Sequence, residues 1–216
     1  MSKPFLRTLP LVAAVLVLSA CQSTVVERMP EGTVAECPAE WRGAFIALDD
    51  NGHRDGDFAM FVADDCTIEP LSSDPKDGPP PELRLHPRFL ANGSVVLFAD
   101  PEVRQLLELR EDELRPPESQ WPFHWSRDAA VLTLEAPDHR RIATLIVNGG
   151  MQGTTHWNSS DEGFNILRGE PAALRNALGN GQLFDDADPI RLEHVGAKRD
   201  DAVRAQRKAA KDGKAR

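Results

Sequence analysis

Several side chains in this 216-residue sequence could do chemistry, and their spacing decides what that chemistry is. Asp49, Asp50, Asn51, Asp55 and Asp57 gather oxygen donors of the kind a hard divalent cation takes. Against the calcium loop D-x-[DN]-x-[DN]-G-x5-E, Asp49 and Asn51 fit. His53, however, stands at the third ligand, Arg54 replaces the glycine, and Met60 occupies the bidentate position. The run therefore reads as a solvated hairpin turn, with no metal. His53, His86, His124, His139, His156 and His194 show neither HExxH nor HxH spacing, so no zinc site is written into the chain. There is no G-x-S-x-G, P-loop or G-x-G-x-x-G, and the glycines of 148–153 are wrongly spaced for a phosphate and read as a flexible loop. No cofactor is expected. Ser, His and Asp residues occur, but in no arrangement that names a catalytic site.

The aromatic run Trp121-Pro122-Phe123-His124-Trp125 is the most conspicuous candidate surface. In an extended chain Trp121, Phe123 and Trp125 point the same way. They read either as core filling, since aromatics carry the largest apolar area, or as a ligand mouth or partner surface. Trp157, in the polar stretch 148–161, strengthens the second reading because a large aromatic there has less core to join.

Those residues need a scaffold, and the composition describes one. With 41% hydrophobic and 27% charged residues the chain can bury one ordinary core, and its 15 Gly and 17 Pro without a repeat period imply a loop-rich fold of short elements. No stretch past residue 20 is apolar for the roughly 18 residues of a membrane-spanning helix.

Residues 1–20 have a basic start (Lys3, Arg7), an apolar run from Leu9 to Leu18 and then small residues, the layout of a secretory signal peptide. Leu18-Ser19-Ala20-Cys21 then closely resembles the lipobox of bacterial lipoproteins. The resemblance covers these four residues and the leader. It implies cleavage before Cys21, a diacylglyceryl thioether on Cys21, and acylation of the new amine, an anchor of two or three chains that palmitate labelling would reveal. Gln22, where inner-membrane lipoproteins carry aspartate, points to the outer membrane with the body facing the periplasm. That compartment excludes nucleic acid as a partner.

With Cys21 so assigned and the chain exported, Cys37 and Cys66 are left in an oxidising compartment, where such a pair bonds as a disulfide. Residues 21–36 read as an acylated tether, 37–196 as a single β-rich domain and 197–216 as a basic tail. The tail carries eight Lys/Arg against three Asp. Setting aside its +5 and the leader's +2 turns the chain's −9 into −16 for the body, an acidic domain with a basic appendage. Val203 is the tail's one sizeable aliphatic, so it reads as a solvated arm able to attach to anionic envelope polymers or lipid headgroups.

Strand signals predominate in the body. Residues 41–49 and 57–63 flank Asn51-Gly52 as a hairpin; 94–99, 129–135 and 140–147 are further strands, the last two joined by a Pro137-Asp138 turn. Helices are expected from Asp100 to Leu114, with Asp100 as cap and Pro101 at the first position, and from Pro171 to Leu178. Residues 72–82 form a proline-rich loop. The fold class is mainly β (α+β), an antiparallel sandwich or open barrel with one or two short helices. The function these readings favour is a lipid-anchored, non-enzymatic binding or structural module of the envelope. The alternative is a periplasmic hydrolase with a dispersed site.

Overall fold

The computed structural model describes residues 22–71, 83–91, 93–107, 115–157, 163–185 and 187–213. Within them twelve strands form one curled, mainly antiparallel sheet, a half-barrel, with four short helices packed on it. In chain order these are β1 Gln22–Val26, β2 Thr33–Val34, β3 Gly43–Leu48, β4 Arg54–Val62, β5 Ile68–Leu71, β6 Arg88–Leu90, β7 Val95–Ala99, α1 Asp100–Leu106, β8 Gln120–Asp128, β9 Val131–Glu135, α2 His139–Val147, β10 Gly153–Trp157, β11 Gly163–Leu167, α3 Pro171–Gly179, β12 Ile190–Gly196 and α4 Arg199–Gly213. The path across the sheet is β10-β11-β1-β8-β9-β12-β3-β4-β5, and β7, paired to β8, leads on to β6 and β2. Of the strand pairs, β1 and β11 alone run parallel.

Alternation along the strands sorts side chains to two faces. Val25, Phe45, Phe89, Phe98, Trp121, Phe123 and Leu132 share the largest core cluster with Trp41, closed by Val103 and Leu107 of the α1 segment. On the opposite face Val26, Leu97 and Leu167 meet Ile142 of α2 and Leu174 and Leu178 of α3. Farther along it Ala44, Ile46 and Ala59 meet Ala202, Ala205 and Ala209 of α4.

The first hairpin forms where Asn51-Gly52 predicts it. Gly52 takes φ +79°, a left-handed conformation that favours glycine, and the Asp49 carboxylate accepts from the amides of Asn51 (2.9 Å) and His53 (2.8 Å). The acidic run is thus spent on turn amides, and those bonds, led by the one from His53, hold the Asp49 carboxyl below its usual range. Cys37 precedes β3 and Cys66 follows β4, so the hairpin returns them to one end, where they form a disulfide with Cα atoms 5.0 Å apart.

Five expectations need correcting. Residues 140–147 are not a strand: Asp138 accepts from the Arg141 amide at 2.9 Å and starts α2, whose Ile142, Leu145 and Ile146 repeat at helical spacing and pack on the sheet. The β-branched content of the run masked that period. Gly149, at φ +73°, and Gly150, donating to Leu145 O, stop this helix, and of the expected loop 148–152 is turn while Gly153–Trp157 is strand. The Asp100 helix opens as expected, but Ala99 is its cap position and Asp100 turns inward; of the predicted extension, 108–114 lies outside the described residues, as does the 72–82 loop. The tether reading fails at its start, because Ser23, Thr24, Val25 and Val26 of β1 are buried inside the sheet. The solvated-arm reading fails too. Small alanines let α4 lie close on β4, and Gln206, 2% exposed, donates to Leu71 O.

Candidate functional site

Two polar clusters are built on β1, one on each side of the sheet, because consecutive strand residues face opposite ways. On the inner side Ser23 accepts from Arg115 Nη2 at 2.6 Å. Asp100 Oδ1 takes Trp121 Nε1 at 2.6 Å and Arg115 Nη1 at 3.4 Å, and Arg104 Nε lies 3.9 Å from Oδ2. The Arg115 guanidinium also stacks over Trp121 (5.3 Å) and Phe164 (5.0 Å). One buried carboxylate therefore faces two guanidiniums, joining the segment after α1 to both β1 and β8.

On the outer side the Thr24 hydroxyl lies 2.9 Å from His139 Nδ1, at the start of α2. Asn165 of β11 donates through Nδ2 to Thr24 Oγ1 (3.1 Å) and to His139 O (2.8 Å), and its Oδ1 accepts from Trp157 Nε1 (3.3 Å). Burial depresses the His139 pKa to about 4, so the ring is neutral at pH 7. Thr24 Oγ1 and the neutral ring share one hydrogen bond, whose direction follows the ring tautomer. Such a hydroxyl and imidazole have the spacing of a nucleophile and its base. Thr24 is 1% exposed and enclosed by Asn165 and α2, so no substrate carbonyl reaches it; the contact anchors the helix.

Beside this cluster runs an open groove of about 480 Å³. One wall is a stripe of α2, Arg140, Ala143, Thr144 and Val147, and the other is Thr155 and Trp157 on the outermost strand β10. Val147 is 72% exposed, well above any other large apolar side chain described.

Of the four aromatics singled out in the sequence, Trp121 and Phe123 are core residues, and Trp125 packs edge-on against Trp41 at 5.8 Å. All three face the inner cluster, as the period-2 argument requires, and this is the core-filling reading. Trp157 stands apart from them, half-buried at the mouth of the groove. The histidines are dispersed: His124 pairs with Glu135 (2.8 Å), His86 with Glu102 (2.9 Å), and His156 stacks on Phe164 (4.8 Å). Among the described residues no three His, Cys, Asp or Glu side chains gather as a metal site. Sequence reasoning missed Ser23, Thr24, Asp100, Arg115 and Asn165. Their partners lie as many as 141 residues away, and no local spacing marks them.

No known family model, curated protein or solved structure matches the chain.

Proposed function

We propose that this chain is a lipoprotein, anchored through acylated Cys21 in the outer membrane and facing the periplasm, whose β-rich body acts there as a non-enzymatic binding or structural module. The observation that carries the reading is Leu18-Ser19-Ala20-Cys21 set behind a basic, then apolar, leader. The Cys37–Cys66 disulfide agrees with an oxidising destination. The non-enzymatic reading is supported by the use of the reactive side chains, since Thr24 pairs with His139 while Ser23 and Asp100 both accept from Arg115 inside the fold. A basic face for anionic envelope polymers is offered by α4, whose Arg204, Arg207, Lys208 and Lys211 are exposed opposite the docked alanines. Metabolic labelling with an alkynyl palmitate tests the anchor. The wild type should take label and Cys21→Ser should not, whereas equal labelling of both overturns it.

A further inference from the structure

We infer that the rim at the N-terminal end of β1, where Trp157 and Arg140 stand, sits at the phospholipid headgroup layer, so that the acylated protein is held in one orientation on its membrane. This rests on the anchor reading and deepens it.

A tether of the length suggested by residues 22–36 could carry the body roughly 50 Å from the bilayer and leave it free to turn. The structure removes that freedom, because Gln22 is already registered against Gly163 and Ser23 is fully buried. One peptide bond, about 3.8 Å between Cα atoms, separates Gln22 from the acylated residue.

Gly163 pairs with Gln22 on one side and with Trp157 on the other. The Trp157 indole lies over Gly163 so closely that a Cβ there would come within 2.6 Å of the ring. Two strand spacings of about 4.8 Å and the peptide bond place Trp157 within roughly 15 Å of the Cys21 Cα. With acyl chains in a hydrocarbon layer, that cysteine is at headgroup depth, and the headgroup zone is about 5–8 Å thick per leaflet.

Tryptophan is the side chain most suited to a membrane interface, with an apolar ring and one polar edge. Arg140, exposed on the facing wall of the groove, adds a cationic side chain at the same rim. Phe164, half-buried under His156, adds a second aromatic at the same end of the sheet, next to Ser23. In a body carrying −16, an aromatic rim with an arginine at the point of attachment is the surface that a lipid layer accepts.

The test uses the full acylated protein in phosphatidylethanolamine and phosphatidylglycerol vesicles with acyl chains brominated near the headgroup. Trp41 and Trp121 are buried and Trp125 is packed in the core, which leaves Trp157 to meet the quencher. Tryptophan emission should fall relative to unbrominated vesicles. Trp157→Phe should abolish that fall and Trp125→Phe should preserve it. Arg140→Glu, with every tryptophan retained, should weaken the quenching. Vesicle flotation with no quenching, or equal quenching in wild type and Trp157→Phe, overturns the orientation and leaves the anchor standing. Failure to float with vesicles or to incorporate palmitate removes the anchor, and the orientation with it.

Discussion

Gly56 reports whether the basic C-terminal segment belongs to the fold. It is buried in β4 where α4 crosses the sheet, and a Cβ there would meet Ala210 N at 2.5 Å, Cα at 2.7 Å and Cβ at 2.9 Å. These are mostly backbone atoms, so no rotamer change relieves them, and Gly56→Val must push the helix outward by about 1 Å or more to regain ordinary contact. Overpacking of this kind costs about 1–3 kcal/mol. Lifting the helix also loosens Ala205 and Ala209, each 8% exposed, and lengthens the 3.2 Å bond from Gln206 to Leu71 O. Taking about 2 kcal/mol, a chain of this length should lose roughly 4–8 °C in Tm. Thermal melts followed by far-UV circular dichroism read this directly, with exposed Arg207→Ala as a control expected within about 0.5 kcal/mol of wild type. A Gly56→Val Tm within about 1 °C of wild type would mean that α4 does not rest on β4, and the segment would return to being a solvated arm.

Two further outcomes are expected. Removing the Cys37–Cys66 disulfide with a paired Ser substitution frees a loop of 29 residues and should lower stability by about 3–4 kcal/mol on the chain-entropy model, read as a shift in urea midpoint; a loss under about 1 kcal/mol would refute that assignment of its role. His139 is held near 4 by burial, below its ordinary 6.5, so the unfolded chain takes up a proton that the folded chain refuses. Its contribution is complete above about pH 6.5 and falls as the pH drops toward 4, by at most roughly 3 kcal/mol. Urea unfolding at pH 7.5 and 4.5 should show this acid loss in wild type, with a smaller loss in His139→Gln. Equal pH dependence in the two would refute it.

What was legible in the sequence was local. Asn51-Gly52 between two β-rich runs specified the β3–β4 hairpin because the turn residues and both flanking runs lie in one window, and the turn that forms has residues 50–52 between the bonded pair Asp49 and His53. The cysteine pairing followed from the assignment of Cys21 and from export, with the hairpin bringing the two to one end, and the shared direction of Trp121, Phe123 and Trp125 followed from the period of a strand. Errors arose where a long-range contact decides the state. Residues 140–147 have both β-branched content and a helical period, and the Asp138 cap with Ile142 packing resolves the conflict toward helix. In α4 the apolar face is made of alanine, which a hydrophobicity reading discounts, yet small side chains are what allow a helix to approach a sheet whose facing residue is glycine.

The start of β1 shows most clearly why a polar stretch can be structural. Ser23 and Thr24 look solvated in sequence, and burying either hydroxyl without a partner would cost about 1–3 kcal/mol. Arg115, His139 and Asn165 remove that penalty from 92, 115 and 141 residues away. The same bonds bind Arg115, the first turn of α2 and strand β11 to the first residues past Cys21. A pull on an acyl chain at Cys21 would then load the middle of the sheet through parallel pairing with β11, where all five β1 residues have partners, rather than peel away a loose end. Under the proposed anchor, the buried polar clusters on β1 would do what a longer hydrophobic strand would do, and they pin the helix and the edge strand that border the proposed membrane rim.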